Sequence, residues 1–327
     1  MLSRSTFSGF FLIGFLLVAA GMALPHLRAL PLTADLLTGK EQMAFEKQFN
    51  SDLPGYEPIR NFWGRSEYAL WHEGRTGVVL GDDGWLFSSE EFSCPRDARQ
   101  NITDNTDYVN KTIGQLEQKQ VRVILALVPE KARVMGLALP SCRAGLYQQL
   151  LDAFKAHNVA NLLTALQASA AFMKTDTHWS PAGAALAAAE IATLAGPAGE
   201  RQDFVTQAGE TKPYNGDLLR YLPGVSMPET LATPATENRS VTGLLDDSVP
   251  AITLVGTSYS ANPRWNFDGA LKTALQADVL NMADEGLGPF AVMDKYLQSR
   301  SWQDNPPRML VWEMPERYFV APHGVFP

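Results

Sequence analysis

The chain has 327 residues, 46% of them hydrophobic, 19% charged and 10% aromatic, enough apolar side chain to build a full core. That excludes a disordered chain, a coiled coil and a disulfide-dense miniprotein. A formal net charge of -8 leaves no general phosphate-seeking surface, so nucleic acid is not an expected partner, and a mean hydropathy of -0.11 with one long apolar run argues against several membrane crossings.

That run follows Arg4 and extends without a charge from Phe7 to Leu24. It is long enough to cross a bilayer once and has a positive residue before it. It is expected to send the chain into export, either as a retained anchor, which its length favours, or as a signal peptide cut near Gly21-Met22-Ala23. Residues 1–28 are read as this segment and 29–70 as a polar connector broken by Pro31, Pro54 and Pro58, with the folded domain over 71–327 in the periplasm. Cys94 and Cys142 are the only cysteines, and one pair in an exported chain reads as a disulfide.

Within the folded part, Thr76–Leu80 and Trp85–Phe87 flank the turn-rich Gly81-Asp82-Asp83-Gly84 and predict a hairpin. Helical spacing covers Tyr108–Gln120, and the nearly unbroken β-prone run Val121–Val128 predicts a strand buried on both faces, as in a parallel sheet. Leu146–His157 reads as a helix, Val159–Leu163 as a short strand or helix start, and Ala171–Lys174 as a strand. Ser180 and Pro181 suit the N-cap and first position of an Ala-rich helix to about Leu194. Residues 223–250 read as a surface loop, Ala251–Gly256 as a strand, Leu271–Asp278 as a helix and Arg308–Glu313 as a late strand. The alternation predicts an α/β fold, a three-layer αβα sandwich on a mostly parallel sheet.

Ligands collect at the carboxyl ends of strands in such sheets, and two motifs fall there: Asp176-Thr177-His178 and Gly256-Thr257-Ser258-Tyr259-Ser260. Serine attack needs a base to take the hydroxyl proton and a carboxylate to orient that base, roles that Ser258, His178 and Asp176 can fill. Each also has an ordinary reading: Ser258 as a turn or cap residue, His178 as a packed ring, Asp176 as a helix cap. No metal site is expected, because the five histidines form no HExxH or other ligand spacing. Gly286-Leu287-Gly288 lacks the rest of a dinucleotide loop, so no cofactor is expected either. Glu316 and Arg317 read as a structural ion pair.

Four separated segments carry a family resemblance: Gly84-Trp85-Leu86-Phe87, Asp176 through Gly183, Gly256 through Ser260, and Trp312 through Tyr318. Together they resemble the alginate O-acetyltransferases, SGNH-hydrolase-like proteins of the AlgJ and AlgX kind, whose Asp-x-His pair precedes the serine in a permuted order. The resemblance implies acetyl transfer through an acyl-enzyme on Ser258, with His178 as base and Asp176 as its partner, onto a polysaccharide hydroxyl. It further implies other exopolysaccharide machinery, including a membrane-bound O-acyltransferase that delivers acetyl. By analogy with SGNH enzymes, Asn281 and Gly286 or Gly288 complete an oxyanion hole. Trp179, Tyr259 and Trp265 are candidate sugar platforms, with core packing as their alternative, and Arg264 is a candidate for a uronate carboxylate. The chain ends soon after Tyr318, leaving no room for a carbohydrate-binding module, which together with the apolar run points to the anchored branch. Its acidity opposes a polyanionic acceptor unless a local cationic groove exists, so a neutral glucan is the alternative. A carbohydrate acetylesterase and a noncatalytic assembly component are the competing functions.

Overall fold

The computed structural model describes residues 55–323 apart from 168–169, 198 and 241–248, together with scattered positions from 13 to 46. The chain divides into two units, Met1–His72 with Leu222–Val225, and Glu73–Tyr221 with Ser226–Pro327. In the first, α1 (Tyr56–Trp71) occupies residues read above as connector. Pro58 does not break it, because Pro58 lies in the first turn, where the missing N–H has no intrahelical acceptor. Gly64 lets α1 approach the main chain closely: a Cβ there would stand 2.4 Å from the Pro223 carbonyl oxygen. The Arg65 Nε also donates to the Gly224 carbonyl at 2.6 Å. The apolar run 7–24 lies largely outside the described residues, among which no helix is long and apolar enough to cross a membrane.

The second unit begins with the expected hairpin, β1 (Val78–Leu80) against β2 (Leu86–Ser88). Helix α2 (Ala98–Gln118) starts ten residues before the predicted helix. Its first half is polar and weak in helix propensity, yet Ala98, Ile102, Asn105 and Val109 recur at helical spacing and are buried. Strand β3 (Arg122–Val128) follows, then the short helices α3 (Lys131–Val134), α4 (Ser141–Ala144) and α5 (Leu146–Ala153). The segment 158–166 is both things its sequence allowed, β4 (Asn158–Asn161) running into α6 (Leu162–Leu166). Ser180 caps α7 (Pro181–Ala195) by accepting from the Gly183 N–H.

Two antiparallel ribbons follow: β5 (Phe204–Gln207) pairs with β8 (Ala235–Asn238), and β6 (Thr211–Tyr214) with β7 (Glu229–Ala232), so that β7 and β8 depart from the surface loop expected over 223–250. These strands are four residues long and mostly exposed, so they lack the apolar runs that mark buried strands. Strand β9 (Ile252–Val255) leads through α8 (Ser258–Ala261) and α9 (Phe267–Leu275) to β10 (Val279–Asn281), α10 (Gly288–Leu297), α11 (Arg300–Asp304) and β11 (Met309–Pro315).

The five main strands are all parallel, in the order β10-β9-β11-β3-β4. Successive side chains of β3 and β11 point to opposite faces, which explains why both strands are apolar along most of their length, Arg122 and Glu313 apart. Ile124, Ala126, Val128 and Val311 pack under α7 and α9. Val123, Leu125, Leu127, Leu310, Trp312 and Met314 pack under α2, α5 and α10. The result is the expected αβα sandwich, in which each fully buried Leu, Ile or Val contributes about 1.5–3 kcal/mol. A bridge between Cys94 and Cys142, with Cα atoms 6.0 Å apart, staples the segment before α2 to α4.

Candidate active site

Residues 171–174 are not a sheet strand. Phe172 makes one antiparallel bridge to Trp179, closing a loop that carries Thr175, Asp176, Thr177 and His178 into the capped start of α7. Charged side chains from three other segments fix this loop from outside. The Lys131 ammonium, itself buried, donates to the carbonyls of Leu86, Lys174 and Asp176 at 2.5, 3.0 and 2.9 Å. Burial pushes its pKa down to about 8 against the pull of the surrounding carboxylates, Glu91 first. Glu229 accepts from the Lys174 and Thr175 N–H groups, and Asp217 from the Thr177 N–H and hydroxyl. Gly216 passes so close that a Cβ would lie 2.0 Å from the Thr175 carbonyl oxygen.

The loop turns Asp176 back onto His178. One carboxylate oxygen, Oδ1, faces both the His178 backbone N–H at 2.9 Å and ring Nδ1 at 2.6 Å. The other, Oδ2, accepts from the Tyr214 hydroxyl and from the Asp217 N–H at 2.9 Å. Burial alone would raise the Asp176 carboxyl, but His178 and then Tyr214 hold it well below the usual carboxylate range. The same hydrogen bond, added to burial, raises the Tyr214 hydroxyl.

The serine arrives from the end of β9. Gly256 and Thr257 form the turn, and Thr257 Oγ1 caps α8 by accepting from the Tyr259 N–H. This sets Ser258 Oγ 2.7 Å from His178 Nε2. Hydroxyl, imidazole and carboxylate thus form one hydrogen-bonded chain. The imidazole is clamped from the sides: Trp265 stacks on it with centroids 5.4 Å apart and planes 24° apart, and Tyr259 lies 4.8 Å away. The chain can move a proton from the serine to the imidazole and hold the resulting imidazolium against a carboxylate.

The other sequence candidates divide. Trp179, Tyr259 and Trp265 are at most 2% exposed, so they are core residues and cannot serve as sugar platforms. The Trp179 indole donates to the Tyr259 carbonyl at 3.1 Å, and the Tyr259 hydroxyl donates to the Thr177 carbonyl at 2.8 Å, which ties the nucleophile segment to the histidine loop. Asn281 does not present its amide to the site: Nδ2 donates to the Ser260 carbonyl, and Oδ1 accepts from the Ala283 N–H. Gly286 and Gly288 have positive φ, and Gly288 opens α10. Arg264 is exposed, near enough for its charge to act on Tyr214. Glu316 and Arg317 are not each other's partners. Glu316 takes Arg133 at 2.7 Å, while Arg317 takes Glu130 at 3.2 Å.

Asp176, His178 and Asp217 bring ligand atoms within 4.8 Å of one another. The N–H and O–H groups already aimed at both carboxylates use the lone pairs a cation would need, so the donor set suits a proton relay rather than a metal. Sequence reading missed Tyr214, Asp217 and Lys131. Each is an isolated polar residue whose role depends on long-range folding, and no local pattern marks it.

Residues 78–316 match the family described as SGNH hydrolase-like domain, acetyltransferase AlgX. The chain is 40% identical over 343 residues to a Pseudomonas aeruginosa protein named probable alginate O-acetylase AlgJ, an alignment covering 93% of this chain and 87% of that protein. A Pseudomonas syringae pv. tomato protein of the same name is 39% identical over 338 residues, covering 94% and 86%. Among solved structures, the O-acetyltransferase domain of Pseudomonas putida AlgJ superposes with a TM-score of 0.69 at 38% identity, covering 75% of this chain and 93% of that one. Pseudomonas aeruginosa AlgX, at 21% identity and TM-score 0.56 over 75% of this chain and 63% of its own, shares the fold. A parallel αβα sandwich matched over 78–316, with relatives this similar over most of both chains, establishes that the chain belongs to the AlgX-type family of SGNH hydrolase-like acetyltransferase domains.

Proposed function

We propose that this protein is a periplasmic alginate O-acetyltransferase working through an acetyl-serine. The observation that carries the reading is the continuous chain from Ser258 Oγ through His178 to Asp176, with links of 2.7 and 2.6 Å. In the first half-reaction His178 Nε2 takes the Ser258 proton as Oγ attacks the acetyl carbonyl. The bond to the donor breaks, and the leaving atom receives the proton from Nε2. In the second half-reaction a sugar hydroxyl gives its proton to Nε2 and attacks the acetyl-serine. Ser258 then leaves and recovers that proton. Asp176 stays ionised throughout and holds the ring by Nδ1.

The names of the two AlgJ relatives support alginate as the acceptor. Arg264, exposed and close to Tyr214, offers the uronate carboxylate a cation despite the acidic net charge. The apolar run 7–24 supports a tether in the inner membrane, with acetyl supplied by a membrane-bound O-acyltransferase. The test is to incubate the purified protein with a chromogenic acetyl ester and oligomannuronate, map the acetylated peptide, and analyse the sugar by mass spectrometry. The expected result is acetyl on Ser258 and on the oligosaccharide, with both lost in Ser258→Ala. Acetyl trapped on another residue would remove the mechanism, and free acetate as the sole product would make the protein an esterase.

A further inference from the structure

Beneath the nucleophile turn lies a buried acid that the reaction above does not use. Glu313 is 0% exposed, one residue past Trp312, which pairs in register with Val255 at the end of β9. Its side chain therefore points to the sheet face opposite that of Trp312 and Met314. Its Oε2 accepts from the Thr257 N–H at 2.7 Å, from the Ser260 hydroxyl at 2.9 Å and from the Thr257 hydroxyl at 3.0 Å. These donors flank Ser258 on both sides. The approach requires glycine at 256, where a Cβ would fall 2.5 Å from Oε2 and 2.7 Å from Ser260 Oγ. Burial pushes the Glu313 carboxyl up, and the same three donors together with His178 pull it back.

Resting on the reading of Ser258 as the nucleophile, we propose that Glu313 is a positioning residue: it holds the Thr257–Ser260 turn by three hydrogen bonds and so fixes Ser258 Oγ against His178 Nε2. Glu313 touches neither donor nor acceptor. Its loss slows attack without weakening substrate binding, and a displacement of the hydroxyl by about 1 Å is worth on the order of 10²-fold.

The test measures acetylation of Ser258 in the full chain, using p-nitrophenyl acetate in single turnover with ester concentration varied. Glu313→Ala should lower the limiting acylation rate about 100-fold with half-saturation unchanged. Glu313→Gln keeps one carbonyl oxygen for the Thr257 N–H and should recover about tenfold of that loss. Gly256→Ala, which pushes the carboxyl away, should resemble Glu313→Ala, and the double variant should be no slower than the worse single one. Circular dichroism checks folding. Should Glu313→Ala fail to fold, Glu313→Gln and Ser260→Ala decide: parental acylation rates in both would overturn the proposal. A folded Glu313→Ala within threefold of the parent, or single effects that multiply in the double variant, would overturn it too. An unmodified Ser258 in the parent protein would instead defeat the acyl-enzyme reading on which it rests.

Discussion

Replacing Asp176 by Asn isolates charge from shape. The amide is the size of the carboxylate, and its oxygen can still face the backbone N–H and ring Nδ1 of His178, now 2.9 and 2.6 Å from Oδ1. Its NH2 then takes the place of Oδ2. The Tyr214 hydroxyl can rotate to accept from it, but the Asp217 N–H, 2.9 Å from Oδ2, is left facing a second donor. That unpaired group costs about 1–3 kcal/mol of stability. The catalytic cost comes from the missing anion beside the imidazolium. Unit charges about 4 Å apart at an effective dielectric of about 20 attract by about 4 kcal/mol. At about 1.4 kcal/mol per tenfold, the acylation rate should fall about 10³-fold. Stopped-flow release of p-nitrophenol from the acetyl ester measures the rate, and thermal unfolding measures the stability. A folded Asp176→Asn protein within tenfold of the parent would show that the carboxylate charge does not support the base.

The same substitution predicts a pH signature. Because the Asp176 carboxyl lies below its unfolded value of about 3.9, its stabilisation is complete above that pH and is lost as pH falls through the folded value. The gap in unfolding free energy between parent and Asp176→Asn should be constant above about pH 5 and shrink below about pH 4. Lys131→Met withdraws three donors from buried carbonyls and should lower unfolding free energy by about 3 kcal/mol in urea titrations at pH 7. Since burial lowers the Lys131 pKa to about 8, the parent, and not the Met variant, should gain stability as pH rises from about 8 to 10. Replacing Cys94 and Cys142 by Ser opens a loop with a sequence separation of 48 and should cost about 4 kcal/mol by loop-closure entropy, read from thermal melts with and without reductant.

Much of this fold was written in local pattern. Val121–Val128, Ala251–Gly256 and Arg308–Glu313 are mostly apolar because the sheet is covered on both faces, and Ser180-Pro181 marks a helix start by cap chemistry that needs no tertiary partner. The candidate pair Asp176 and His178 could be picked out because both lie in one three-residue motif. The ribbons of 204–238 were not, since short exposed strands carry neither an apolar run nor a clean alternation. Ala171–Lys174 looked like a strand because Ala171, Phe172 and Met173 are apolar, but they pack in the core next to α7 without joining the sheet. Trp179 and Trp265 were open to two readings because aromatic residues suit sugars and cores equally. Only the folded chain reveals that both are buried around the histidine.

Asp176 and His178 ride on a single loop, two residues apart, whereas Ser258 comes from a strand end eighty residues later. Three hydrogen bonds span that separation: Nε2···Oγ, the Trp179 indole to the Tyr259 carbonyl, and the Tyr259 hydroxyl to the Thr177 carbonyl. Sliding the strand end against the loop would break all three together, so the hydroxyl keeps its range to the ring unless the whole turn lifts away.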